Sequence, residues 1–132
     1  MKKPKIKISE LKKDFSFLEK DLKERKILGV LLYGSYAKNI QHSRSDIDIC
    51  VVAPKYKTIK QQSSLLGYLW RNVNANKYDI RLFEELPLYI KISIINNYKV
   101  LFSSDSRELE YYFYKTRKIW NDQSINWIEK KV

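Results

Sequence analysis

The sequence predicts an α+β fold of α/β-like order, a small mixed β-sheet with helices packed on it. Three observations predict it. Short apolar runs of strand length alternate with longer stretches of helical periodicity. Only 3 Gly and 3 Pro occur in 132 residues, so the connections are short. A chain of this length can bury a core without a metal or disulfide to hold it.

The elements follow in order. Ser9 is placed to cap a first helix, with Leu11, Phe15, Leu18 and Leu22 along one face. Residues 27–33 (ILGVLLY) form a continuous apolar run, the pattern of a buried strand. Gly34 ends that run, and Ser35 can open a short helix to about Ile40. Residues 46–53 (DIDICVVA) read as a second strand, stopped by Pro54. A helix is expected over 57–73, with Ile59, Leu65, Leu66, Leu69, Trp70 and Val73 as its apolar stripe. Residues 77–83 (KYDIRLF) alternate as a third strand. A helix over 84–96 carries Pro87 in its first turn, where proline is tolerated. Residues 100–102 make a short strand, and 105–131 one or two closing helices. The chain reads as a single domain, 1–132: an N-terminal helix over 1–26, a sheet core with the active site over 27–104, and a helical segment over 105–132.

The formal net charge is +11. Residues 1–26 contribute +5, 27–104 another +5 and 105–132 only +1, so the excess is spread along the chain and is no basic tail. A positive field favours anionic partners such as nucleotides, RNA or an acidic protein face, but sets no specificity. No stretch approaches the ~18 apolar residues of a membrane span. The basic start, MKKPKIKISE, lacks the apolar run of a signal peptide. The single cysteine, Cys50, rules out an intrachain disulfide and reads as a small core residue. These features predict a cytoplasmic protein.

The informative segment is 32–52, LYGSYAKNIQHSRSDIDICVV. Gly34-Ser35 follows a strand and opens a helix, where free backbone N–H groups favour phosphate. Gly34 lets a triphosphate approach the backbone, and Ser35 adds a hydroxyl donor. Alone, such a pair is most often a turn. Asp46 and Asp48 stand two apart on a strand, so both carboxylates leave one face while Ile47 and Ile49 point into the core. Adjacent like charges are costly unless neutralised, and Mg²⁺ accepts carboxylate and phosphate oxygens together. Alone, Asp-x-Asp is most often a solvated pair. Asp79 joins the other two if the third strand pairs beside the second. Three carboxylates can hold two metal ions and stabilise both oxygens of an in-line displacement. Asp79 can also accept the proton of an attacking hydroxyl, and a surface Asp on an edge strand is its rival reading.

Gly34-Ser35, ten residues (36–45), then Asp46-x-Asp48 resembles the signature of the polymerase-β-like nucleotidyltransferase superfamily. The run GSYAKNIQHSRSDIDICVV is most similar to the minimal nucleotidyltransferase (MNT) pattern Gly-Ser-x-Ala-[Arg/Lys]-Gly…Ser-Asp-[Ile/Leu]-Asp. The resemblance is strong over 27–53 and weaker beyond Phe83. It implies the fold, and Mg²⁺-dependent transfer of a nucleoside monophosphate to a hydroxyl with release of pyrophosphate. It implies that Gly34 and Ser35 hold the triphosphate of ATP or another nucleoside triphosphate. Asp46 and Asp48 are then metal ligands, Asp79 the third acid and Lys38 a cation for the γ-phosphate. Asn39 departs from the pattern's Gly, though Asn tolerates left-handed backbone. Arg44 in the following loop is a further candidate for phosphate or an acidic partner, and His42 reads as incidental.

The resemblance further implies a HEPN-type, RNase-like toxin as partner, which an MNT antitoxin neutralises by adding AMP to a tyrosine. A masking module without catalysis is the alternative, and a nucleic-acid-directed transferase, prompted by the charge, is a third. The run Tyr111, Tyr112, Phe113, Tyr114 exceeds one helical face, so part of it is expected at the surface or an interface.

Overall fold

The computed structural model describes residues 7–34 and 47–131, with side chains to residue 123 in the last helix. The elements are α1 (Ile8–Asp14), α2 (Ser16–Glu19), β1 (Gly29–Tyr33), β2 (Ile47–Val52), α3 (Ile59–Asn72), β3 (Tyr78–Leu82), α4 (Leu88–Asn96), β4 (Lys99–Ser103) and α5 (Ser106–Lys131). The four strands form one mixed sheet in the order β3-β2-β1-β4. β1 is antiparallel to both β2 and β4, and β2 is parallel to β3. The expected α+β class and its mixed sheet are what the chain adopts.

Strand alternation divides the core in two. Val30, Leu32, Ile47, Ile49, Val51, Tyr78, Ile80 and Leu82 face α1, α2 and α3, where they meet Leu11, Phe15, Leu18, Leu65 and Leu69. Leu31, Cys50 and Val52 face the other way, onto Ile94 and Ile95 of α4 and Leu109 and Phe113 of α5. Both faces of β2 are therefore covered, which explains a run as apolar as ICVV. Burial pushes the Cys50 thiol well up, so it remains a neutral core group, as expected.

The first helix departs from expectation. Leu11, Phe15, Leu18 and Leu22 are all buried, but the helix breaks at Phe15 into α1 and α2. Ser9 is its second residue, not its cap; Lys7 stands at the cap with no side-chain hydrogen bond. Docking fixes the segment instead. The Phe15 ring meets Tyr78 edge-on at 4.9 Å, the Tyr78 hydroxyl donates to Asp14, and Lys77 Nζ lies 2.9 Å from the same carboxylate.

α3 starts at a capping box. Gln61 N donates to Thr58 Oγ1 at 3.1 Å, and Thr58 N donates to Gln61 Oε1 at 3.2 Å. Only Leu65 and Leu69 of its predicted stripe are buried; Leu66, Trp70 and Val73 pack at the margin, and Ile59 is exposed. The helix predicted over 84–96 divides into a 3-10 turn at Phe83–Glu85 and α4, with Pro87 at the N-cap rather than inside the first turn. The closing segment is one helix, α5.

Candidate active site

β1 runs toward one end of the sheet, β2 leaves from that end, and β3 begins there. The register sets Tyr33 opposite Asp48, and Asp48 opposite Asp79. The three side chains form one row on the α4/α5 face, on neighbouring strands roughly 4.8 Å apart. Their neighbours in sequence, Ile47, Ile49, Tyr78 and Ile80, are buried on the opposite face. The cores of the two faces thus fix which way the carboxylates point.

Gly34 closes the row. It is left-handed, with φ +73°, the region an L side chain rarely adopts. A Cβ built on it would collide with the Asp48 carboxylate, whose Cγ would lie 3.2 Å away. The missing side chain is what lets the turn lie against this carboxylate.

The electrostatics follow from the row. Two carboxylates on adjacent strands repel unless a cation joins them. Arg81, two residues beyond Asp79 and on the same face, brings Nε within 3.2 Å of Asp79 Oδ1. That guanidinium is largely exposed, so the pair is screened. Burial, and after it the Asp48 carboxylate, push the Tyr33 phenol above its ordinary range, so it remains a neutral hydroxyl beside the acids. The site combines hard oxygen donors, open backbone at Gly34 and a neutral phenol. This donor set suits Mg²⁺ carrying phosphates, which takes one or two carboxylates. Among the described residues no third His, Cys, Asp or Glu joins the pair.

Of the residues singled out from sequence, the fold brings together Gly34, Asp48 and Asp79. Ser35, Lys38, Asn39, His42, Arg44 and Asp46 lie outside the described residues. Sequence reasoning missed Tyr33 and Arg81. Both were within reach of the period-2 rule: Arg81 shares the face of Asp79, and Tyr33 is the last residue of its strand before Gly34.

A glycine turn packed against one of two carboxylates on neighbouring strands, in a four-stranded mixed sheet, is an arrangement suited to a metal ion and a phosphate. The polymerase beta, nucleotidyltransferase family matches residues 16–107, and the chain belongs to that family. A Methanocaldococcus jannaschii protein named as a protein adenylyltransferase is 55% identical over 107 residues, covering 81% of this chain and 76% of its own. A chain from the crystal structure of a toxin–antitoxin complex with AMP-PNP superposes with a TM-score of 0.61 at 20% identity, covering 87% of this chain and 90% of the other. A chain from the complex of a tri-AMPylated Shewanella oneidensis HEPN toxin with its MNT antitoxin gives 0.58 at 18%, covering 89% and 90%. At these identities the two structures speak for the fold alone. No helix among the described residues is long and apolar enough to cross a membrane.

Proposed function

We propose that this nucleotidyltransferase moves AMP from ATP to a tyrosine hydroxyl of a HEPN-type protein partner and so acts as its antitoxin. The observation that carries the reading is the row Tyr33–Asp48–Asp79 closed by Gly34, in a chain 55% identical over 107 residues to a protein named as a protein adenylyltransferase. The solved complexes of like fold, one with AMP-PNP and one with an AMPylated toxin, support the nucleotide and the partner.

The reaction is an in-line displacement. The acceptor hydroxyl oxygen bonds to the α-phosphorus, the bond from that phosphorus to the oxygen bridging to the β-phosphorus breaks, and pyrophosphate leaves. The hydroxyl proton passes to Asp79, the acid at the exposed edge strand. Gly34 and Ser35 hold the triphosphate, assisted by Lys38 and Arg44. Asp46 and Asp48, with Asp79, hold Mg²⁺, two ions if all three take part. Mg²⁺, when bound, neutralises the clustered carboxylates and the triphosphate. Arg81 orients Asp79, and the phenol of Tyr33 adds a neutral donor that brings no further charge to the acids.

Incubation with Mg²⁺, labelled ATP and a HEPN-type protein of the same organism tests the reading. Label on a partner tyrosine is expected. Absence of transfer from a protein that binds Mg²⁺-ATP would overturn it. The double variant Asp46→Asn/Asp48→Asn separates catalysis from masking, because only a masking antitoxin survives it.

A further inference from the structure

α5 runs toward the end of the sheet that carries the acids. Ser104 N donates to Leu28 O at 3.2 Å, and the Leu109 side chain packs against Gly29, so α5 begins at the end remote from the site. Eight residues later Arg117 donates to Ile95 O and to Asn96 Oδ1, both at 3.3 Å, at the C-terminus of α4. α4 leads into β4 at Lys99, which pairs with Leu32, one residue from Tyr33. The rise of eight helical residues is about 12 Å, and β1 from Gly29 to Tyr33 spans about 13 Å. The helix therefore reaches the level of the site near residue 117. It continues to Lys131, about 21 Å further.

Burial agrees with that course. Leu109, Phe113 and Thr116 are buried at helical spacing, and then every residue from 117 to 123 is exposed. Ile119 and Trp120 are left 52% and 37% exposed, flanked by Arg117 and Lys118. The adjoining outer face carries the stacked pair Tyr111 and Tyr114, with Lys115 Nζ 4.9 Å from the Tyr111 ring. An apolar pair with basic neighbours suits a protein surface with an apolar furrow bordered by carboxylates. A second copy of this chain is a poor occupant, because each brings a net +11.

We infer that the exposed stretch of α5 from Arg117 onward is a docking arm for the acceptor protein, gripping it through Ile119 and Trp120 so that its hydroxyl is presented beside Asp48 and Asp79. The inference rests on the proposed protein acceptor, but the arm's role is measured separately from transfer. The test is the double variant Ile119→Ser/Trp120→Ser, whose sites are exposed, with a purified HEPN-type protein of the same organism as probe. Direct binding to that protein, without ATP, is expected to weaken at least tenfold, while Mg²⁺-ATP binding by calorimetry stays unchanged. If the wild type transfers label, KM for the acceptor rises by a similar factor and kcat is kept. Equal binding of the probe by wild type and variant, or none by either, overturns the inference, whether or not transfer occurs. So does loss of single-stranded RNA retention with protein binding intact, or a wild-type dimer that the variant converts to a monomer. Lys118→Glu supplies a second arm, expected to slow association most at low salt.

Discussion

Gly34 turns against Asp48: its left-handed backbone brings the α-carbon so near the carboxylate that no side chain fits between them. The turn at Gly34 and the acid on β2 are thus one packed unit. Gly34→Ala meets two penalties, a left-handed alanine costing about 1–2 kcal/mol and a displaced Asp48. Denaturant unfolding is expected to show a loss of that order, and calorimetry a loss of Mg²⁺-ATP binding of at least about tenfold, the equivalent of ~1.4 kcal/mol. Wild-type nucleotide affinity in this variant would sink the contact's role.

Asp79→Asn separates stability from activity. Its ion pair with Arg81 is exposed, so unfolding free energy is expected to change by less than about 1 kcal/mol. Transfer of label is expected to fall by about 10²–10⁴, the usual weight of a general base. A large loss of stability, or full activity, counts against the role given to Asp79.

Glu84 predicts a pH dependence. Its carboxylate accepts from Ala53 N at 2.9 Å and from the Tyr112 hydroxyl at 3.0 Å, tying the end of β2 to α5. Burial nevertheless pushes its pKa above the ordinary 4.5, outweighing those two bonds. The folded protein then holds the proton more tightly than the unfolded chain. This contribution is complete below pH 4.5 and is lost as pH rises through the folded value. Asp14 has the opposite sign: chiefly the Tyr78 hydroxyl, then Lys77, lowers it, and its contribution fades as pH falls below 3.8. In urea unfolding from pH 4 to 8, wild type is expected to lose stability relative to Glu84→Gln as pH rises. Parallel curves would remove Glu84 as the cause.

Phe15→Ala should act on folding alone. The ring is fully buried under α1 and meets Tyr78 edge-on. Truncation is expected to cost 3–5 kcal/mol, within the range of about 3–5 kcal/mol seen for buried Phe. Chemical denaturation measures it; a loss under about 1 kcal/mol would mean that Phe15 is not docked on Tyr78 as described.

Much of the site was legible before folding, and the misses have local causes. Asp48 and Asp79 could be named because strand alternation assigns faces without tertiary information. Tyr33 passed as a core residue because its run is apolar on both faces, and the row's electrostatic character exists only once the strands pair. Ser9 was misplaced because a capping residue announces a helix start only where the backbone adopts the cap, and here Lys7 holds the extended cap position and the helix starts at Ile8. Ile59 obeyed the helical period, yet as the first residue of α3 it is exposed, while Leu65 and Leu69 further along the helix are buried.

The order of the strands, the continuous apolar run of β1 and the spacing of the glycine turn from the acids were determined by sequence alone. Each depends on periodicities of two or 3.6 residues, which local sterics dictate. Tertiary structure decided the partners: the parallel pairing of β2 with β3 that sets Asp79 beside Asp48, the contact of Gly34 with Asp48, and the course of α5 past the site. The β2–β3 pairing joins residues 31 positions apart in the chain, and only the burial of both sheet faces, acting at once, selects that register.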